Sequence, residues 1–263
     1  MQIPVNLWYQ VQHVAGRSLL NMKVTVLYYV IVAAVFSVAW LWWLRRPGRR
    51  PKLQARPVTG RQLGRELAST VGAVVIFGSV LPILFALGLG EHTRFYRHVG
   101  ERGWMYFCLS IVLMLLIQDT WFYWMHRLMH HRRLFRWFHL THHRSTNPNP
   151  WTTYAMSVLE AFVLSGSTVL MLVLVPTTGL AYVIVGWANV IYGVYGHLGY
   201  ELYPASMANH WLGRWINTSV AHNAHHEKSR YNYSYYFLIW DRWMGTLDPR
   251  YAESFGGKVL VGK

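Results

Sequence analysis

Charge is scarce in this chain, and negative charge scarcest of all. Of 263 residues 13% are charged, against roughly 25% in a soluble domain. The 25 Lys+Arg face 10 Asp+Glu. An ordinary water-exposed surface is therefore excluded for much of the chain. Cysteine occurs once, as Cys108, which excludes an intrachain disulfide and a cysteine-held iron–sulfur cluster. No haem or flavin motif, internal repeat or low-complexity segment is found. No small-residue cleavage site follows the first apolar run, so that run is expected to stay as a helix rather than leave as a secretory signal.

Long apolar runs fill the space that charge leaves. They cover Val24–Leu44, Leu67–Gly90, Trp104–Trp124, Val158–Val175 and Leu180–Gly196. A helix needs about 20 apolar residues to cross the hydrocarbon core. The first and third runs meet this directly. The second carries Pro82, which membrane helices tolerate. The last two are joined only by "PTTG" and read as a tight helical hairpin, either arm short or tilted. The expected fold is an all-α membrane protein of about four to five transmembrane helices, one integral-membrane domain over 1–263. A Pro/Arg-rich connector (Arg45–Arg61) and "STNPNPW" (Ser145–Trp151) break helices. After Tyr200 the chain reads as short helices and loops at the interface.

Net charge is +15, which by itself suggests nucleic acid, but its placement suggests a membrane. Arginines and lysines collect between Arg45 and Arg65, around the stretch from Arg127 to Arg144, and after Gly196. Positive residues mark cytoplasmic loops. The expected topology puts the N-terminus outside and the C-terminus inside. Both histidine-rich stretches then lie on the cytoplasmic side, with the basic excess against anionic headgroups.

Those stretches are the chain's most specific feature. Of its 14 histidines, only His13, His92 and His98 fall outside the segment from His126 to His226. His126 and His130 are spaced i, i+4. His139, His142 and His143 are spaced i, i+3, i+4, and His222, His225 and His226 repeat that pattern. Such spacings share one helical face. Imidazole suits iron, zinc, copper and nickel, and eight to nine nitrogens exceed one ion's needs, since zinc usually takes about four ligands in all, so two ions are expected. Nearby carboxylates are few (Glu201, Glu227, Asp241), unlike the Glu-x-x-His pattern of soluble di-iron bundles. His131 is rotated about 100° from His130 and is expected at the interface; His210 has no partner at helical spacing. A plain basic, aromatic surface patch does not require three same-face histidine sets.

"DTWFYWMHRLMHHRRLFRWFHLTHH" and "HNAHHEKSRYNYSYYFLIWDRWMGT" resemble the fatty acid hydroxylase/sterol desaturase superfamily of membrane di-iron enzymes. The likeness covers about Gln118–Leu247, within a catalytic region of about 104–247. It implies a metal set of His126, His130, His139, His142, His143, His222, His225 and His226, with His197 of "GHLGYE" as a ninth ligand. Where some members carry a further histidine this chain has Glu201, which either ligates or leaves the place to water. Asp119, alone in its apolar run, is read as accepting the second N–H of a ligand imidazole; pairing with an arginine such as Arg127 is the other reading. Asn217, Asn223 and Tyr231 are further candidates to line the site, and Asp241 is expected to tie Arg242 or a backbone turn.

The resemblance further implies two iron ions (with zinc possible in purified protein), O2 as co-substrate, and oxidation of a lipid C–H bond. Two external electrons per turnover would come from a cytochrome b5-like protein, or a ferredoxin with its reductase, docked on the basic face. Hydroxylation of a lipid is the favoured outcome. Sterol C5-desaturase, C4-methyl oxidase or alkylglycerol-type ether-lipid monooxygenase activity are the alternatives. Outside this class stands a metal transporter or sensor, which would bury ionisable groups along several spans. Here only Asp119 and Glu160 interrupt the runs.

Overall fold

A computed structural model describes residues 5–39, 42, 53–54, 57–204, 206–207 and 210–255. Most of the Pro/Arg-rich connector, and part of the first apolar run's end (40, 41, 43 and 44), lie outside the described residues. Five long helices dominate: α1 (Val5–Ala39), α2 (Gly60–Ala86), α3 (Gly103–Met129), α6 (Val158–Leu174) and α7 (Gly179–Gly196). Between α3 and α6 come two single turns, α4 (Phe135–Phe138) and α5 (Leu140–His143). After α7 come α8 (Ser219–Lys228), α9 (Ile239–Trp243) and α10 (Tyr251–Phe255). No strand forms among the described residues, only the isolated bridges Phe95–Thr177 and Ile216–Phe237.

Among the described residues four helices are long and apolar enough to cross a membrane: Val11–Ala39, Gly60–Ala86, Gly103–Met129 and Gly179–Gly196. The fifth, α6, has 17 residues, about 26 Å at 1.5 Å per residue, just short of a hydrocarbon core of about 30 Å. The expected helix count is met, with one boundary moved. The first helix begins well before Val24 because nothing between Val5 and Lys23 breaks it, and Arg17 and Lys23 sit on the same continuous helix.

Helix ends follow local chemistry. Thr59, Ser157, Thr178 and Thr218 each accept the N–H of the residue three positions on, capping α2, α6, α7 and α8. Such caps occupy backbone donors that have no intrahelical partner. Helix α2 runs through Pro82.

Packing is set by close approach and by aromatic layers. At Gly78 a Cβ would lie 2.3 Å from Met22 Cγ and 2.9 Å from its backbone nitrogen, so α1 and α2 touch where only glycine fits. Phe107, Met114, Met171, Val175, Ala181 and Val185 join α3, α6 and α7 at one end of the bundle. Val32, Val190 and Val194 join α1 to α7, where Tyr28 stacks on Trp187.

The expected tight hairpin of α6 and α7 is corrected by this packing. Helix α6 leans chiefly on α2 and α3, and α7 on α1 and α3; with one another they share only the end of the bundle around Met171, Val175, Ala181 and Val185. The two arms splay around a cavity of about 400 Å³ in the bundle interior. Its lining comes from α1, α2, α3, α6 and α7, and at one end from His139, His142, His197 and His222. In the C-terminal region α8 is packed inside the protein, with residues Ser219 to His226 all buried.

Candidate metal centre

All nine histidines of the expected set come together, in two groups. His126, His130, His139, His143 and His225 form one; His142, His197, His222 and His226 form the other. In each group the ring nitrogens lie within 4.8 Å of one another. Eight of the nine are buried and His130 is half-buried.

The elements that deliver them are not those that the spacing suggested throughout. His126 sits in the last turn of α3, and His130 is its C-cap. The second box is not one helix: α4 ends and α5 starts at His139. The His143 N–H still bonds the His139 carbonyl at 3.1 Å, so the i, i+4 face survives the break. His197 caps the end of α7. His222, His225 and His226 share α8, whose C-cap Ser229 is left-handed at φ 55°. That conformation is uncommon for a residue with a Cβ. It sets the Ser229 hydroxyl 3.1 Å from His143 Nδ1.

Outward hydrogen bonds fix the tautomers. Nδ1–H of His126 donates to the Tyr233 carbonyl at 2.8 Å, that of His197 to Gly193 at 2.7 Å, and that of His225 to Tyr231 at 2.6 Å. His142 donates to Ala155 at 3.2 Å, and His139 to the Glu160 carboxylate at 2.7 Å. A carbonyl can only accept, so these Nδ1 atoms carry the proton and Nε2 is left a bare lone pair. Those lone pairs converge. Nε2 of His126 is 2.9 Å from that of His139, and Nε2 of His225 is 3.1 Å from His130 and 3.0 Å from His143. In the second group Nε2 of His197 is 2.9 Å from His222 and 3.2 Å from both His142 and His226. Lone pairs facing at such distances repel unless a cation lies among them. This donor set fits a pair of metal ions, one per group.

Electrostatics agree. Burial pushes the His142 imidazole down to about 4, and those of His197 and His225 to about 3. His222 and His226 are held well below the usual value by burial and then by neighbouring imidazoles. Neutral rings are the ligating form.

The support around the groups departs from expectation at Asp119. Its Oδ1 accepts three successive backbone N–H groups, from Tyr235 (3.2 Å), Tyr236 (2.6 Å) and Phe237 (3.1 Å). Neither an imidazole nor Arg127 is its partner; Arg127 donates to the Tyr123 hydroxyl. A carboxylate at that depth meets the C-terminal loop folding back over α3 before it meets any ring. Asp241 grips the same loop through Tyr233 N and Ser234 N, both at 2.9 Å, and Thr246 Oγ1 at 2.7 Å. The clamped segment supplies the Tyr233 carbonyl that orients His126. Asp119 therefore acts one step further out than expected.

Other candidates sort clearly. Glu201 spends its carboxylate on Tyr195 Oη, Tyr203 N and Val220 N and belongs to neither metal group. His131 and His210 are exposed and in neither group. Asn217 ties the loop through the Ser234 and Tyr235 carbonyls. Asn223 accepts from Gln54. Tyr231 contributes its carbonyl to His225. The residue that spacing missed is Glu160, the partner of His139; a lone acid in an apolar run was its only signal.

The fold and site together define a helical membrane protein with a buried double histidine cluster at one end of a cavity inside the helix bundle. The model of the fatty acid hydroxylase family matches residues 111–246, more than half of the chain, and the chain belongs to that family. Delta(7)-sterol 5(6)-desaturase ERG3B of Gibberella zeae is 29% identical over 186 residues, 70% of this chain and 56% of that protein. Lathosterol oxidase of Mus musculus is 29% identical over 199 residues, 75% of this chain and 64% of that protein. The lathosterol oxidase of Homo sapiens is 29% identical over the same length, again 64% of that protein. The chain thus spans 56% to 64% of the length of these relatives. No solved structure matches.

Proposed function

We propose that this protein is an O2-dependent oxidoreductase that hydroxylates or desaturates a lipid C–H bond. The observation that carries this reading is the convergence of nine inward-facing imidazoles at the end of a mostly apolar cavity inside the bundle. His126, His130, His139, His143 and His225 would hold one iron, and His142, His197, His222 and His226 the other. When bound, two irons supply the oxygen activation that attack on an unactivated C–H bond requires.

The chain's own contribution is positional and dielectric. Tyr233, Tyr231, Gly193 and Ala155 carbonyls, with Glu160, hold the rings in the ligating tautomer. Outer partners of this kind also raise ligand basicity. Burial keeps bulk water from the reacting carbon, which limits side reactions. The cavity lies among membrane-crossing helices, so a lipid can reach it from the bilayer. Its volume of about 400 Å³ is within the ~300–1,000 Å³ of ligand sites. Electrons come from an external donor. Arg127, Arg132, Arg133, Arg136 and Arg144 are exposed beside the histidine boxes and suit an acidic carrier such as a cytochrome b5-like protein or a ferredoxin. The histidine clusters face the cytoplasm in this reading, on the strength of the Lys/Arg distribution.

Sterol 5(6)-desaturation is a second reading, favoured by the names of the relatives. Metal analysis of purified protein, joined to product analysis after supplying O2 and reduced donor, tests the proposal. Two irons per chain and an oxidised lipid are expected. One metal site, or two metals without O2-dependent lipid product, would refute it.

A further inference from the structure

The cavity is not apolar throughout, and among its polar lining residues three, on three different helices, lie at one depth. On α3, Gln118 precedes His126 by eight residues. On α6, Thr168 follows Glu160, the partner of His139, by eight. On α7, Asn189 precedes His197 by eight. All three line the cavity. At 1.5 Å per residue each stands about 12 Å along its helix from the histidine level. Three helices thus put an amide or hydroxyl into the same layer, roughly two turns inside the bundle.

Gln118 is the member that points to a ligand. It is 6% exposed, and its side-chain oxygen is buried without a hydrogen-bond partner. An amide oxygen left this way in an apolar setting is unfavourable. A leucine would fill the position without that cost. By contrast, Asn189 Oδ1 already accepts from the Tyr236 hydroxyl at 3.0 Å, which holds its amide in place. An amide offers both donor and acceptor, matching a hydroxyl, which is both.

Resting on the lipid-oxidation reading above, we propose that Gln118, with Thr168 and Asn189, forms a polar collar that binds a hydroxyl of the substrate about 12 Å from the histidine cluster. The substrate class is then a lipid alcohol oxidised at a carbon remote from its hydroxyl. In a 3-hydroxysterol oxidised at C5 the two carbons are only two bonds apart, so the collar argues against that regiochemistry here. Gln118 is a specificity-determining residue, not a ligand to the metals.

Two matched probe pairs test this on the intact, metal-loaded protein in nanodiscs: 1-hexadecanol against hexadecane, and lathosterol against its 3-deoxy counterpart. At least one hydroxylated probe should bind the parent about tenfold or more tightly than its partner, some 1.4 kcal/mol. In Gln118→Leu that preference should vanish, with metal content unchanged and a melting temperature equal to or above the parent's. The Gln118 oxygen has no hydrogen bond to lose, whereas removal of a structural hydrogen bond would show as a lowered melting temperature. No hydroxyl preference in the parent, a preference kept in Gln118→Leu, or a less stable variant would each overturn the collar. Metal content and O2-dependent oxidation of the deoxygenated probes, read in parallel, separate this from the functional reading. Turnover without hydroxyl preference sinks the collar alone. Hydroxyl preference without metals or turnover leaves the collar standing and sinks the oxidation.

Discussion

At the scale of single residues, the site depends on atoms one step behind the rings. Asp119 holds three backbone N–H groups of the loop whose Tyr233 carbonyl orients His126. Asp119→Ala should release that loop and weaken metal retention about 10–100-fold, the usual cost of losing an outer partner. Asp119→Asn keeps an acceptor oxygen and should retain more metal than the alanine variant. Equal metal content in both variants and the parent, measured by mass spectrometry after chelator challenge, would remove Asp119 from the positioning of His126. A neighbouring pair gives a cleaner contrast. His130 belongs to the first histidine group, whereas His131 is exposed and outside it. His130→Ala should lower metal content and His131→Ala should leave it unchanged. Similar losses in the two would mean that the end of α3 is not helical as described.

At the scale of elements, the breaks matter as much as the helices. The break at His139 turns the second box so that its rings serve both groups: His139 and His143 one, His142 the other. The loop after it is held by buried Glu66, which accepts from Asn149 Nδ2 (2.7 Å), Thr152 Oγ1 (3.1 Å) and Gln62 Nε2 (2.8 Å). That loop presents the Ala155 carbonyl to His142. Helix contact is equally specific. A side chain at Gly78 would meet Met22 Cγ and its backbone. Gly78→Val should therefore push α1 from α2 and destabilise by roughly 1–3 kcal/mol, as overpacking does, read as a lowered unfolding temperature in detergent. An unchanged transition would show that the two helices separate freely there.

At the scale of the whole molecule, burial and charge placement set how the protein responds to pH. The imidazoles of His142, His197 and His225 are pushed down to about 4, 3 and 3. In the unfolded chain histidine titrates near 6.5. Below that value the unfolded state takes up protons that the folded state refuses, so stability falls as pH drops from about 6.5 towards these lower values. Metal loss runs in the same direction, because only the neutral ring ligates. Protein moved from pH 7.5 to pH 5 should lose metal and melt at a lower temperature. Identical metal content and melting temperature at both would contradict the buried, neutral cluster. The odd number of crossings expected from Lys/Arg placement makes a further test. A probe near Lys263, in a Cys108→Ser background, should be labelled only from the cytoplasmic side; labelling from outside would invert the topology.

Apolar run length and histidine spacing were enough to read the helix count and eight of the nine clustered imidazoles; the ninth, His197, came from the family resemblance. Both are local properties: a span is a matter of consecutive residues, and i, i+3, i+4 spacing fixes a shared face within one turn. The double grouping was beyond such reading. His139 and His142 are close in sequence yet serve different groups, because their neighbours arrive from α3, α7 and α8. The partners of Asp119 and Glu160 were hidden for the same reason. Asp119 meets a loop more than a hundred positions away, and Glu160 meets His139 across a chain reversal. The cavity, too, belongs to tertiary structure. The short link between α6 and α7 suggests a hairpin, but each arm finds a better apolar surface on α3 and on α2 or α1. Side-chain hydrogen bonds and helix packing are long-range choices among competing partners. A single chain read in order records the candidates for those choices without the distances that decide them.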